Sequence, residues 1–397
     1  MRHKTHIKNP IIPLVGGIIS LMVAMGIGRF AYTPILPIMQ SHSHFSETIA
    51  GYLASSNYLG YLLGALSASM FAWRKGKSFY VKVYLVINIL TTILMGTTEN
   101  FIYWSILRFV SGFSSGVVFV FIAGIVLDYL EQQGRTMWSG FFYSGVGIGI
   151  FLTGLIVPVL NDFWGWQWTW VGLGFIAMCM GAFPLLLTRD APSVARAEQS
   201  AKQIDDSARK KGLLIGLIVS YGCEGMGYIV SGTFLVAMVG GIPGLGTLSA
   251  LSWAFVGVAA APSCWIWSVI AKKYSNIAAL YAAYIAQMIG IILPVVFPNT
   301  IGVLAGALLF GATFMGITML TIAEARSAFP QQSSKIIGYL TVAYGIGQII
   351  GPIIAGVLTT RTGSYNSALL FASITLLSGM LFLSAKYVRR VLQRNLE

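Results

Sequence analysis

The stretch GIGRFAYTPILP, residues 26–37, places Arg29 inside an apolar run that covers residues 11–39. Its GxGxxA letters match part of a dinucleotide-binding fingerprint, but that fingerprint needs a strand before it and a helix after it. Here the letters lie in the middle of one long apolar run, and such runs of more than about 18 residues are typical of membrane-spanning helices. The stretch therefore predicts a transmembrane helix that carries one cation, in which Gly26 and Gly28 let neighbouring helices pack closely.

The composition of the whole chain extends this prediction. Of the 397 residues, 56% are hydrophobic and 9% are charged, whereas soluble domains carry about 25% charged residues. Twelve apolar runs, numbered here as spans 1 to 12, follow one another with mostly short connections: 11–39, 48–72, 79–98, 101–129, 137–160, 166–187, 213–239, 247–271, 276–297, 300–324, 336–359 and 365–387. The sequence therefore predicts an all-α membrane protein with twelve transmembrane helices.

The net charge of +13 reflects topology, and we expect no nucleic-acid partner. Lys and Arg are concentrated in alternate connections, namely the N-terminal tail, 73–78, 188–212, 272–273 and the C-terminal end, and they are absent from 40–47, 161–165 and 240–246. This alternation is the positive-inside rule repeated along the chain. It predicts a multi-pass protein of a bacterial cytoplasmic (inner) membrane with both termini in the cytoplasm.

The chain also contains an internal repeat. GMGYIVSGTFLV, which starts at Gly225, aligns with GIGRFAYTPILP at an offset of 199 residues, so that Arg29 corresponds to Tyr228. The segment from Gln132 similarly resembles the segment from Gln331. Because six is an even number of spans, two such halves share one orientation, as in secondary transporters whose solute site lies between the halves. The predicted divisions are an N-terminal six-helix half at 1–187, a cytoplasmic linker at 188–212 and a C-terminal six-helix half at 213–397.

Two motifs of regularly spaced glycines carry a resemblance to a known family. One lies in span 4 and matches RxxxGxxxG, and the other lies in span 11, where GQIIGPIIAG matches GxxxGPxxxG. Their residues are Arg108, Gly112, Gly116, Gly347, Gly351 and Pro352. With the stretch at 26–37, these motifs resemble the major facilitator superfamily over essentially the full chain, and most of all its YbfB/YjiJ branch. The resemblance implies alternating access, a role in proton coupling for Arg108, and helix packing or gating for the glycines and the proline.

The resemblance has one departure. The connection between spans 2 and 3 in the family carries an acid before its basic residues, whereas this chain has Trp73, Arg74, Lys75 and Gly76 with no aspartate. The family's charge relay at the cytoplasmic gate is therefore not expected in its usual form.

Charges inside the spans are the main candidates for function, because a charge at bilayer depth costs several kcal/mol. Glu224 lies near the middle of span 7, and Arg29 lies somewhat outward of the middle of span 1. The repeat places Glu224 opposite Met25, one turn from Arg29, so the two charges could face each other. Asp128 and Glu324 lie at the ends of their spans and are interpreted as interfacial or gate residues.

Two interpretations of Arg29 and Glu224 remain open from the sequence. They could form a permanent structural ion pair, or they could divide the work of transport. In the second case Arg29 binds an anionic group of the solute, since its planar fork suits a carboxylate, and Glu224 is the proton-coupling carboxylate. Tyr32 and Tyr228, each within a turn of Arg29 or of its repeat equivalent, are the further substrate-binding candidates.

The expected function is secondary transport of a small organic solute, coupled to protons, by a monomer in the lipid bilayer. No histidine lies within a span, so carboxylates are the expected proton carriers. Three scattered cysteines indicate neither disulfides nor a metal site, and the sequence shows no catalytic motif that would favour an enzyme and no cofactor motif. The alternative is a membrane sensor that keeps a transporter fold and has lost coupling.

Overall fold

A computed structural model describes residues 11–71, 73–135, 138–190 and 207–394, which form helices and turns and contain no strand. The helices are α1 (Ile11–Leu21), α2 (Tyr32–Ser43), α3 (Glu47–Met70), α4 (Lys77–Leu94), α5 (Phe101–Gln132), α6 (Ser139–Leu187), α7 (Ser207–Gly240), α8 (Ser249–Lys273), α9 (Asn276–Val296), α10 (Thr300–Ala328), α11 (Ser333–Thr362) and α12 (Tyr365–Arg394). Residues 191–206 of the predicted linker lie outside the described residues.

Ten helical stretches in the described residues are long and apolar enough to cross a membrane. One of them joins α1 to α2, and another is α6, whose 49 residues are about twice the length that one crossing needs. Counting α6 twice gives eleven crossings. The twelfth, span 2, corresponds to α3, which is not among the ten and contains several Ser and Gly residues. The helices thus follow the predicted order of the spans.

Spans 5 and 6 meet at a sharp bend. The sequence predicts a connection at 161–165, and the backbone leaves the helical conformation within it, at Gly165, which has a φ of 78°. A positive φ of this kind is readily adopted by glycine because it has no Cβ. The neighbouring side chains of Phe163 and Trp164 are exposed, as expected for aromatic residues at a membrane interface.

Span 1 is broken near its middle. A π-helical turn at Met22–Ile27 follows α1, and residues 28–31 form turns before α2 begins. Pro34 lacks the N–H group that would continue regular helical bonding, and the amide of Thr33 donates to the carbonyl of Phe30, one residue nearer than in an α-helix. The break therefore frees backbone carbonyl groups inside the protein, and these need other donors.

For description, α1 to α6 are called the first helix group and α7 to α12 the second, by their order in the chain. In the first group α3 and α4 pack on α5, and α1 packs on α6. In the second group α11 and α12 pack on α7, and α8 and α9 pack on α10. The two groups meet where α3 packs on α11, α6 on α8 and α2 on α7. The space between the groups is therefore bounded by helices from both.

The glycines of the two motifs lie where helices approach most closely. A Cβ at Gly112 would collide with the carbonyl of Asn57, so α5 rests directly on the backbone of α3, and Gly116 makes the same kind of contact one turn further along. Gly347 and Gly351 likewise lie against the backbone of α7. Small residues at such positions permit close helix packing in a membrane.

Candidate functional site

A cavity of about 670 Å³ lies between the two helix groups. Its mouth carries Asp128 and Arg326, at the ends of α5 and α10. This end of the molecule also bears the basic loop at 73–78, and it is called here the basic end. Arg29 lines the deep part of the cavity. The volume falls in the range of about 300–1,000 Å³ that is usual for small-molecule sites.

Arg29 is held in the cavity wall by aromatic rings. Its side chain is 2% exposed, and the central carbon of its guanidinium lies 4.1 Å from the ring centroid of Tyr61 and 4.8 Å from that of Tyr58. Such cation–π contacts favour a cation at a desolvated site. Its Nε and Nη2 are buried and have no hydrogen-bond partner among the described residues, so one edge of the guanidinium holds two unpaired donors.

Next to Arg29, aromatic rings form a nearly parallel series. The ring of Tyr228 makes angles of 2° with Phe314 and 11° with Tyr344, at centroid distances of 5.7 and 5.5 Å. Tyr221 stacks on Tyr344 at 4.3 Å, and Phe310 stacks on Phe314 at 5.6 Å. We call these five residues the aromatic series. All of them except Phe310 line the cavity, which therefore has a polar anchor beside an apolar wall.

Arg108 supports the break in span 1. It is 1% exposed, and its Nη1 and Nη2 donate to the carbonyls of Gly28 and Arg29 at 3.4 and 3.3 Å. Ser111 adds a bond of 2.9 Å to the carbonyl of Gly28. Arg108 therefore supplies donors that the broken helix needs, and it positions the backbone of Arg29. The residues that line the cavity do not include Arg108.

The end opposite the mouth is closed by contacts between the two helix groups. Thr33 in α2 donates to the carbonyl of Gly232 in α7. The hydroxyl of Tyr58 in α3 lies 3.2 Å from a hydroxyl of α7, and a hydrogen bond of 3.0 Å joins Thr48 of α3 to Thr360 of α11. The cavity is therefore open towards the basic end and sealed at the other.

Tyr32 lies at this closed end, which differs from the expectation that it contacts the solute. Its hydroxyl donates to the carbonyl of Ala50 at 3.1 Å, and its ring lies 4.6 Å from the guanidinium carbon of Arg108. It is 1% exposed and is not part of the cavity wall. The turn at 28–31 separates it from Arg29, so the spacing of a regular helix does not apply.

Tyr228, the other tyrosine that the sequence predicts to bind the solute, does lie in the cavity wall. Its hydroxyl accepts a hydrogen bond from the amide of Gln348 in α11. Its ring occupies the middle of the aromatic series, with Phe314 on one side and Tyr344 on the other. It is therefore placed to contact a molecule bound next to Arg29.

Glu224 occupies a separate buried position. It is fully buried, and neither of its carboxylate oxygens makes a hydrogen bond of ordinary geometry in the described part of the chain. Gln287 of α9 lies beside it, also fully buried, and its amide interacts with the carboxylate outside the geometry of an ordinary hydrogen bond. One turn earlier in α7, Ser220 bonds to Tyr284 of α9. Side chains on this face of α7 therefore meet side chains of α9, and neither Ser220 nor Glu224 lines the cavity.

Arg29 and Glu224 consequently do not form the ion pair that one interpretation of the sequence expects. Arg29 faces Tyr58, Tyr61 and the aromatic series, and the oxygens of Glu224 meet no cation among the described residues. The Arg29 side chain packs on tyrosines of α3, whereas Glu224 lies beside Gln287 of α9. The permanent structural pair is thus not present in this conformation.

At the basic end, the loop at 73–78 contains no acidic residue. Acidic residues from other parts of the chain contact it and the start of α4. Lys77 forms an ion pair of 3.0 Å with Asp128 at the end of α5. Asp190 accepts hydrogen bonds from the backbone amide and the hydroxyl of Ser78, at 2.8 and 3.0 Å, and so caps the first turn of α4. These contacts lie within the first helix group and do not cross to the second.

Several residues of the site cannot be singled out from the sequence. Tyr58 and Tyr61 occur three residues apart in span 2, and Tyr344 precedes Gln348 by one helical turn. These spacings put each pair on one side of a helix, but they do not show which side faces a cavity. Gln287 has no such neighbour. The packing of the helices is needed to assign all five.

Comparisons with known proteins agree with this architecture. Residues 21–384 match the sequence model of a family described as "Uncharacterised MFS-type transporter YbfB". An uncharacterised MFS-type transporter from Yersinia pestis is 20% identical over 385 residues, which is 92% of each chain, and the transporter YcaD from Escherichia fergusonii is 24% identical over 386 residues, 93% of each. A benzoate transport protein from Acinetobacter baylyi is 23% identical over 152 residues, 37% of this chain and 33% of that one.

Solved transporters share the fold. The nucleoside transporter NupG superposes with a TM-score of 0.71 at 14% identity, over 95% of this chain and 99% of its own. A bacterial homologue of the human lysosomal transporter Spinster, in an inward-facing and unoccupied conformation, superposes with a TM-score of 0.66 at 13% identity, over 96% of each chain. At such identities the likeness establishes the fold alone.

Proposed function

Because the chain belongs to the major facilitator superfamily, a family of membrane transporters and not of enzymes, we propose that it is a secondary transporter. It moves a small organic anion across a bacterial cytoplasmic membrane, coupled to protons, by alternating access. It acts as a monomer, with both termini on the cytoplasmic side. On this topology the basic end is cytoplasmic, and the cavity is open to the cytoplasm.

The moving parts are two six-helix halves, residues 1–187 and 213–397, joined by a linker at 188–212. The repeat at an offset of 199 residues supports this division. In alternating access, the contacts that close one end open while the other end closes. Here these contacts are the hydrogen bonds from α2 to α7 and from α3 to α11.

Arg29 is the anchor for the anionic group of the solute. Its guanidinium is buried, lines the cavity and keeps two nitrogens unpaired within the described part of the chain. Leaving a donor unpaired in an apolar site costs about 1–3 kcal/mol or more, and a bound anion would remove that cost. Tyr228, with Gln348 beside it, forms the adjoining wall. Tyr32 has no part in this proposal.

Glu224 is the residue that binds the coupled proton. The observation behind this assignment is that its carboxylate is fully buried without a counter-charge among the described residues. An ionised carboxylate without a hydrogen bond or a counter-charge is very costly in a low-dielectric interior. In this conformation Glu224 is therefore expected to be neutral, with a proton bound. Reorganisation of α7 against α9 would have to bring water or a donor to it before the proton could leave. Transport and proton movement are then coupled through one helix.

The two halves use equivalent positions differently, which supports this assignment. Asn88 of α4 and Gln287 of α9 are separated by the repeat offset of 199 residues. The amide nitrogen of Asn88 donates to Ser111 and Ser114, whereas the amide nitrogen of Gln287 is unpaired among the described residues. The second half therefore places an amide donor beside Glu224, with no stronger partner among the described residues.

Solute-driven proton movement in proteoliposomes tests the proposal even while the solute is unidentified. A trapped pH-sensitive dye reports proton flux as organic anions and the neutral nucleoside uridine are added one at a time. Benzoate belongs in this panel because one relative is a benzoate transport protein, and a nucleoside belongs in it because NupG is a nucleoside transporter. We expect at least one anion to drive proton flux in the wild type.

Two carboxylate-to-amide variants are compared in the same assay. Glu224→Gln should abolish proton flux and keep solute exchange, since it resembles the protonated form. Asp162→Asn, which changes an exposed carboxylate outside the cavity, should retain proton flux. If no member of the panel moves protons in the wild type, coupled transport is contradicted and the sensor alternative is favoured. Undiminished flux in Glu224→Gln would refute the role of that residue.

A further inference from the structure

We propose that the solute is a planar aromatic carboxylate whose carboxylate binds Arg29 and whose ring packs on the aromatic series. This inference rests on the proposed function, because it takes the cavity to be the solute site. It goes further by naming the solute's chemical class, which follows from three features of the deep part of the cavity.

The first feature is the geometry of the unpaired donors. Nε and Nη2, the two nitrogens of Arg29 that have no partner among the described residues, lie on one edge of the guanidinium and point their hydrogens in parallel. A carboxylate accepts two parallel N–H bonds from such an edge, which is the strongest and most specific arrangement for this pair. The guanidinium carbon lies 4.1 Å from the ring centroid of Tyr61, and this contact limits the movement of the group. The site is therefore suited to two oxygens in one plane.

The second feature is the orientation of the rings in the same cavity. Tyr228 lines the cavity together with Arg29, and its ring lies within 11° of parallel to both Phe314 and Tyr344. A flat solute that adopts the same orientation can stack in the offset manner that aromatic pairs prefer, at centroid distances of about 4.5–7 Å. A saturated ring of similar size is puckered and has no π-system, so it gains only apolar burial.

The third feature is an unpaired acceptor in the same wall. Gln348 donates from its amide nitrogen to the hydroxyl of Tyr228, and its Oε1 has no partner in the described ranges although the side chain is 1% exposed. This oxygen can accept a hydrogen bond from a hydroxyl or amino substituent on the solute's ring. A ring that carries both a carboxylate and a hydroxyl therefore satisfies more of the buried polar groups than benzoate does.

A set of small probes separates these contributions in a binding measurement on the purified full chain. Isothermal titration with benzoate, cyclohexanecarboxylate and benzamide varies the ring and the carboxylate one at a time, and 4-hydroxybenzoate adds a hydroxyl. We expect benzoate to bind about threefold to tenfold more tightly than cyclohexanecarboxylate and at least about tenfold more tightly than benzamide. The hydroxylated probe should bind at least as tightly as benzoate. If cyclohexanecarboxylate or benzamide binds as tightly as benzoate, the proposal is refuted.

Two substitutions, each with a matched control, assign the binding to this site. Arg29→Lys should weaken benzoate binding by about tenfold or more, because a point charge replaces the two-donor edge, whereas Arg361→Lys at the exposed end of α11 should not. Phe314→Leu should reduce the preference for benzoate over cyclohexanecarboxylate, whereas Phe175→Leu on the exposed face of α6 should leave it unchanged. Equal loss in a variant and its control would mean that the cation and the ring do not form the site.

The binding and proton-flux experiments can fail independently, so a wrong solute class can be distinguished from a wrong proposed function. If benzoate binds as expected and drives no proton flux, the solute class stands and coupled transport fails. If another anion drives proton flux through Glu224 while benzoate and 4-hydroxybenzoate show no binding, coupled transport stands and the aromatic class is refuted.

Discussion

Thr33 in α2 donates its hydroxyl to the backbone carbonyl of Gly232 in α7 at 2.5 Å, and the two residues are separated by 199 positions. This separation equals the offset that aligns Arg29 with Tyr228. Residues that are equivalent in a two-fold repeat can touch each other only near the axis that relates the halves. The contact therefore supports an axis that passes between α2 and α7, at the closed end of the cavity.

Loss of this hydrogen bond should favour opening of the closed end. A bond of this kind contributes about 1 kcal/mol, so Thr33→Val should increase the population of the open form by roughly fivefold. Spin labels at Ser41 and Thr247, on exposed segments of the two helix groups, report the change as a longer distance between them. Thr92→Val is the control, since its hydroxyl donates within its own helix. An unchanged distance distribution in Thr33→Val would contradict the prediction.

Close packing of α5 on α3 should make Gly112 intolerant of a methyl group. A Cβ there meets the carbonyl of Asn57, and relieving such an overlap costs about 1–3 kcal/mol. Gly112→Ala should therefore lower the thermal unfolding temperature in detergent. Gly338→Ala, at a helical position with open space around its Cβ, should be neutral or slightly stabilising because alanine favours helix. Equal stability of the two variants would show that α5 does not need this contact.

Arg108 should act through the backbone of span 1. Lysine cannot reach both carbonyls with a planar fork, so Arg108→Lys leaves one of them unpaired and should lose about 1–3 kcal/mol of stability. Arg361→Lys, at an exposed position, serves as the control and should unfold at the wild-type temperature. Thermal unfolding of the purified variants measures the difference. A wild-type unfolding temperature for Arg108→Lys would exclude the supporting role.

The proposed sidedness has a direct test. In a chain whose three native cysteines are replaced by alanine, cysteines at Ser41 and Thr247 should react with an impermeant maleimide added to intact cells. A cysteine at Lys272, at the basic end, should react only after the membrane is opened. Labelling of Lys272→Cys from outside would reverse the topology derived from the distribution of Lys and Arg.

The fold is predictable because each segment that crosses a membrane must meet the same requirements of length and apolar composition. A helix that crosses the hydrocarbon core must be long and apolar and must satisfy its own backbone, so each span is visible as a run of letters. The all-helical class and the transporter family are both predicted from such runs and from RxxxGxxxG, and both are confirmed. The join between spans 5 and 6 also lies where the sequence predicts it, because the backbone leaves the helical conformation at Gly165, within 161–165.

The candidate site is predictable only in part, and Arg29 shows why. A lone arginine in an apolar run is visible in the sequence, and so is Glu224, because a buried charge is rare and costly. The sequence does not show that Arg29 lies on tyrosines from α3, or that Glu224 faces α9. It also suggests Tyr32 as a solute contact, whereas Tyr32 bonds to Ala50 at the closed end. The two halves, the coupling role of Glu224 and the anchor role of Arg29 stay predictions.

The sequence by itself determined which segments cross the membrane, in what order, and which charged residues must lie among them, since these depend on composition over a span. Tertiary structure alone decided what those residues face. Arg29 lies on tyrosines of α3 and not beside Glu224, and the packing of α10 and α11 brings Phe314 and Tyr344 to Tyr228. Such contacts join positions far apart in the chain, and they depend on how each helix is rotated about its axis. The regular period of 3.6 residues does not specify this rotation where helical bonding is irregular.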